Sequence, residues 1–129
     1  MSERWISVSA DIFRLFPGYV RGVVVARGVA NGPSSPELLE ELRAAEASLR
    51  AGLDLEHLAA HPRIHSWREA YRAIGVKPAE HRSSIEALAR RVLRGDSLPS
   101  ISALVDAGSI VSLRHLVPAG GHALDVSSG

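Results

Sequence analysis

The sequence predicts an α/β fold of the α+β-like kind, with strands at the N-terminus followed by several helices packed on the sheet. Three observations carry this reading. β-Branched residues crowd "YVRGVVVARGVA", Tyr19 to Ala30, between the turn residues Pro17-Gly18 and Asn31-Gly32-Pro33. Apolar residues then recur at helical spacing in the later stretches, and helix start and stop signals bracket those stretches. At 129 residues and 46% hydrophobic, the chain can bury one core but not two comfortable ones, so residues 1–129 are read as a single domain.

Each element has its own warrant. "WISVS", Trp5 to Ser9, reads as a strand, and a short irregular or helical piece separates it from the largely buried strand at Tyr19–Ala30. Ser35 then supplies an N-cap with Pro36 at the first helical position, and Leu38, Leu42, Ala45 and Leu49 follow at helical spacing until Gly52. After "LDLEHLAAHP", Ser66 and Glu69 have the spacing of a capping box; Trp67, Ala70, Tyr71 and Ile74 line one face, and Gly75 with Pro78 ends that helix. Ser83 and Glu86 repeat the signature ahead of Ile85, Leu88, Ala89 and Val92, with Gly95 closing. A last helix is expected from near Pro99 to about His115. Its apolar residues Ile101, Leu104, Val105, Ile110, Val111 and Leu113 surround so much of the cylinder that it is expected to be central and buried. "VPAGGHALD" then predicts a proline-glycine loop returning to a short strand.

Composition narrows the chemistry. The chain has no cysteine, so disulfides, thiolate zinc sites and a thiol nucleophile are not available, and nothing points to an oxidising compartment. A soluble, cytoplasmic protein is expected, because no apolar run approaches the roughly 20 residues a membrane span needs and "MSERWISVSADIFRLF" lacks a signal peptide's apolar core. The formal net charge of +1 hides an asymmetry. From Pro36 to Leu58 six acids face two arginines, whereas from Arg63 to Arg94 eight basic residues face three acids. A phosphate-bearing partner would be drawn to the second segment, although charge alone favours arginines that merely solvate a helix.

Several residue groups could carry chemistry. His57, His61 and His65 are spaced by four, as in helical metal sites, but Pro62 interrupts them and no acid or thiol completes a zinc motif, so no metal is expected. The glycines fit neither a P-loop nor a dinucleotide fingerprint. Ser109 and Ser112 lie near His115 without the strained elbow or positioned base a serine nucleophile needs. Trp67 and Tyr71 could stack on bases, yet their spacing assigns them to the core. Asp106 and Gly108 stand out within an apolar helix: a buried carboxylate needs a partner, and a mid-helix glycine costs about 1 kcal/mol unless another group packs closely against it. His122 follows Gly120 and Gly121, whose backbone N–H groups could hold an oxyanion or a carboxylate; a histidine capping a turn would look the same.

The tracts "SWREAYRAIGVKP" and "SSIEALARRVLRGDSLPSISALVDAGSIVSLRHLVPAGGHALD" resemble the B3/B4 domain of the bacterial phenylalanyl-tRNA synthetase β subunit, most closely its free-standing relatives. The likeness covers about Ser66 to Asp125, with a weaker echo in the N-terminal strand. In the synthetase this domain hydrolyses tyrosine wrongly esterified to the phenylalanine tRNA. The resemblance therefore implies editing-type hydrolysis of a mischarged aminoacyl ester, with aminoacylated tRNA as partner and no metal or organic cofactor. On that basis His122 is the candidate catalytic residue, Gly120, Gly121 and Ser109 the candidate substrate-binding residues, and Arg90, Arg91 and Arg94 the candidate tRNA contacts. Two departures bear on this. Ser109 stands where the synthetase pattern has asparagine, and the family domain continues well past the position of Gly129, so the chain is expected to cover only the first part of the module. The alternatives are a non-catalytic module that binds tRNA or an amino-acid-like ligand, and a half-domain completed by a second copy or another chain.

Overall fold

A computed structural model of the chain describes residues 6–122. Its elements are α1 (Ala10–Leu15), α2 (Pro36–Gly52), a 3-10 turn (Leu58–Ala60), α3 (Pro62–Ala73), α4 (Ser84–Leu93) and α5 (Ala103–His115). Among the described residues there is no strand, so the expected sheet, and with it the α/β class, is replaced by helices. The described residues divide into two units, 6–30 with His122, and Asn31–Gly121.

In the first unit, Ser9 caps α1 by accepting the Asp11 N–H, and Phe13 meets Tyr19 edge-to-face at 6.0 Å. The predicted strand Tyr19–Ala30 is non-helical backbone with no ladder partner among the described residues, and Val20, Val23, Val24, Val25 and Val29 are exposed. β-Branched residues suit a pleated, half-buried surface, but a strand forms only where a neighbour takes up its N–H and C=O groups. Of the first predicted strand, Trp5 lies outside the described residues and Ile6–Ser9 are not strand. The short strand expected after the glycine loop also falls largely outside them, at positions 123–125.

The second unit holds the core: Leu42, Ala45 and Leu49 of α2, Leu58 of the 3-10 turn, Ile64 of α3, Ile85, Ala89 and Val92 of α4, Leu98, and Ile110 and Leu113 of α5. α2 has the bounds its sequence predicts, with the Ser35 hydroxyl accepting the Leu38 N–H. α3 begins earlier than expected. Pro62 opens the helix at a position where a missing N–H costs nothing, His61 is the N-cap, and Ser66 lies inside the helix. α4 starts after Ser83 as predicted, and Gly95 (φ +100°) takes the left-handed conformation that ends it.

α2 and α5 make the most extensive helix pair. They run in the same direction, because the residues before each helix are tied together. Gly32 accepts the Ala103 N–H, Asn31 Oδ1 accepts the Leu104 N–H, and Ser34 donates to Asp106 in the first turn of α5. The turn residues read at Asn31-Gly32 thus cap a helix about 70 residues downstream. Ser102 adds its own cap by accepting the Val105 N–H at 3.3 Å, and Ser102→Ala is expected to lower stability by about 1 kcal/mol, read from the denaturation midpoint.

α5 departs from its reading in two ways. It begins at Ala103 rather than Pro99, because the preceding residues bend so that the Ser100 hydroxyl (2.5 Å) and the Ile101 N–H (3.1 Å) reach the Asp106 carboxylate. It is also buried on one side only: Asp106, Ile110, Ser112 and Leu113 face inward, while Leu104, Val105 and Val111 are exposed. The close neighbour expected at Gly108 is missing too, since a Cβ there would meet nothing within 4 Å.

Candidate nucleic-acid interface

The basic segment is organised around one buried acid. Glu86, 1% exposed, accepts two hydrogen bonds from Arg68 (Nε at 2.9 Å, Nη2 at 2.6 Å) and one from Arg90 (Nε at 2.9 Å), and Arg82 Nε stands 3.6 Å away. Arg90 lies one helical turn after Glu86 on α4, Arg82 reaches back from the extended residues before the Ser83 N-cap, and Arg68 comes across from α3. Burial pushes the Glu86 carboxyl up, but the hydrogen bonds and charges of Arg68 and Arg90 outweigh it and hold the group below its ordinary value. The Arg68 guanidinium is raised, chiefly by its hydrogen bond to Glu86. Three guanidiniums share one carboxylate, which leaves a surplus of positive charge on the α3–α4 face. The Ser83 hydroxyl accepts the Glu86 N–H at 3.4 Å, one half of the capping box that the spacing predicts, while the Glu86 carboxylate serves as the hub of the ion cluster.

The sequence-predicted tRNA contacts divide accordingly. Arg90 is committed to Glu86 and its side chain is only 16% exposed. Arg91 and Arg94 are exposed, and neither forms an ion pair with a described residue. Sequence reasoning misses Arg68 and Arg82 as site residues. The spacing of Glu86 and Arg90 puts that pair on one helix face, whereas Arg82 precedes the Ser83 N-cap and Arg68 comes from another helix, so neither leaves a helical signal.

The residues of the glycine loop are less constrained. Gly120, Gly121 and His122 are exposed, and Ser109 is partly buried on α5, with no hydrogen bond joining it to Gly120 or Gly121. Asp106 does not fasten this loop. Its partners are Ser34, Ser100 and Ile101, so it ties together the entries to α2 and α5. Ser112 instead fixes the chain leaving α5, its hydroxyl donating to the Val117 carbonyl at 2.5 Å. The three spaced histidines have separate surroundings: His57 pairs with Asp54 at 2.7 Å, His61 caps α3, and His65 stands 3.8 Å from Glu69. Trp67 is partly buried and packs on the core.

No family model matches this chain, and no curated protein or solved structure was found to match it. Among the described residues no helix is long and apolar enough to cross a membrane.

Proposed function

We propose that this protein binds the phosphate backbone of aminoacylated tRNA through the α3–α4 face and acts in the hydrolysis of a mischarged aminoacyl ester. The observation that carries the binding half is the gathering of Arg68, Arg82 and Arg90 on the single carboxylate Glu86, with Arg91 and Arg94 close by in sequence and without ion pairs among the described residues. The cluster leaves positive charge in excess over acids on this face, and the exposed Arg91 and Arg94 can meet phosphate oxygens with paired donors. The hydrolytic half is supported by the resemblance of Ser66–Asp125 to the editing domain. On that reading His122 takes a proton from water as the oxygen attacks the ester carbonyl carbon. The acyl–oxygen bond then breaks, the ribose hydroxyl leaves with a proton, and the exposed backbone of Gly120 and Gly121 lets the terminal ribose approach. Ser109 would contact the substrate.

The test separates the two halves. Reversing Arg91 and Arg94 to glutamate, with Arg90 left to hold Glu86, is expected to weaken tRNA binding several-fold. The salt dependence should flatten by about 0.7–0.9 in slope for each phosphate that is no longer neutralised. Unchanged affinity at low salt would return both arginines to solvent. Release of labelled amino acid from mischarged tRNA, abolished in His122→Ala, supports hydrolysis. Binding without such release leaves the chain a non-catalytic tRNA-binding module.

A further inference from the structure

The parallel run of α2 and α5 brings their C-termini to the same end of the second unit. There they flank an open cleft of about 250 Å³, lined by Ser48, Leu49 and Leu53 of the α2 end, His61 of the α3 cap, and Arg114 and Leu116 of the α5 end. Its lining sets aliphatic side chains beside the polar residues Ser48, His61 and Arg114, a make-up that suits a small amphipathic molecule. From this we propose that the cleft binds a small carboxylate carried on an apolar body.

The polar groups define the ligand's head. Arg43, Arg50, Arg68 and Arg90 are each engaged by a carboxylate or a backbone carbonyl, whereas Arg114, in the cleft, forms no ion pair or hydrogen bond with a described residue. A guanidinium beside an aliphatic floor calls for a planar anion attached to hydrocarbon. His61 adds a donor. Its Nδ1 accepts the Arg63 N–H at 3.2 Å, so the proton of the neutral ring sits on Nε2. The Ser48 hydroxyl likewise has no hydrogen bond to a described residue.

The wall is also held in an unusual shape. Leu116 has φ 50° and ψ 54°, a left-handed conformation that glycine favours and leucine rarely adopts. It persists because the Leu116 and Val117 N–H groups both reach the Ser112 carbonyl while the Ser112 hydroxyl donates to Val117. That turn places Leu116 against the core and in the cleft lining, and backbone held this way against its preference is a recurrent mark of binding sites. At about 250 Å³ the cleft falls below the range of about 300–1,000 Å³ that takes drug-sized ligands, which limits the occupant to a compact body such as one phenyl ring or a branched alkyl chain.

The proposal does not rest on RNA binding, because none of the α4 arginines lines the cleft. Two sources share the chemistry, simple acids and amino acids, and the partial negative charge at the two helix C-termini would favour the ammonium group of the second. The experiment is a titration of the full chain, followed by ¹H–¹⁵N spectra, with 3-phenylpropionate, L-phenylalanine and the uncharged 3-phenylpropanol. Saturable shifts at Gly52, Leu53 and Leu116 are expected with the acids and at least fivefold weaker binding with the alcohol. A preference for phenylalanine over phenylpropionate identifies the amino-acid source, and the reverse identifies simple acids. Arg114→Gln, at an exposed position, should weaken acid binding about five- to tenfold, and Ser48→Phe should block it while both variants melt like the parent. No saturable shift at these residues, equal affinity for acid and alcohol, or unaltered binding in Arg114→Gln would overturn the proposal.

Discussion

Glu86→Ala is expected to lower the stability of the second unit by about 3–5 kcal/mol, the cost of removing one partner from a buried ion cluster. The wild-type carboxylate serves three guanidiniums at once, and two of them, Arg68 and Arg90, are only 16% exposed. Without Glu86 these cations remain packed together with no counter-charge, and the core residues Ile85 and Ala89 on the same helix lose the clamp that holds α4 to α3. Urea denaturation should show a lower midpoint with an unchanged slope. Glu86→Gln keeps the shape and one acceptor and should fall between parent and alanine variant. An alanine variant within about 0.5 kcal/mol of the parent would mean that the cluster is solvated and contributes little.

The same cluster fixes a pH dependence. Glu86 and Asp106 both titrate below their ordinary values in the folded state. Stability from such groups is fully present above the unfolded-state pKa and is lost as pH falls through the folded-state pKa, because the unfolded chain then binds protons more readily. The parent should therefore lose stability between roughly pH 5 and pH 2, and Glu86→Ala should lose visibly less over that interval. Parallel curves would remove Glu86 as a source of the acid sensitivity.

What is legible in the sequence is local. α2 carries its own start signal in Ser35-Pro36 and its own apolar spacing, and it has the predicted bounds; Ser83 and Gly95 bracket α4 in the same way. The errors arise where the deciding partner is distant in sequence. Tyr19–Ala30 has the composition of a strand, but composition does not supply a neighbouring strand to pair with. Ser66 and Glu69 imitate a capping box because Pro62 reads equally well as a break or as a first helical residue. The apolar girdle of α5 suggests full burial, yet the helices packed on it cover one side and leave Leu104, Val105 and Val111 exposed. The burial of Glu46 and Glu86 has no local signature, because a buried carboxylate depends on donors brought from elsewhere. Glu46 finds the Leu98 N–H at 2.7 Å, 52 positions away. The candidate site follows the same rule: the helical spacing of α4 pairs Glu86 with Arg90, while Arg68, Arg82 and the cleft beside Arg114 depend on how the elements meet.

Asp106→Ala should be the second severe variant, with a loss of about 3 kcal/mol that comes from the groups left behind. The carboxylate is 1% exposed and accepts from the Ser34 hydroxyl at 2.5 Å, the Ser100 hydroxyl at 2.5 Å and the Ile101 N–H at 3.1 Å. Burial pushes its pKa up, but these three donors and the nearby Arg43 charge prevail, so it is ionised and fully engaged at neutral pH. Alanine removes the acceptor from two hydroxyls and a backbone N–H at once. It also removes a negative charge from the first turn of α5, where the helix dipole favours one. Because Ser34 precedes α2 and Ser100 precedes α5, the loss should appear as separation of the two helix starts rather than as a core defect. Melting should fall by roughly 12 °C or more for a domain of this size, and amide exchange should quicken first at Ile101 and Ala103, whose N–H groups depend on this junction. Asp106→Asn keeps the volume but turns an amide donor toward donors, so it should recover little. A melting temperature within about 2 °C of the parent, with exchange at Ile101 unchanged, would show that the junction holds without Asp106 and that the Asn31 and Ser102 caps suffice to start α5.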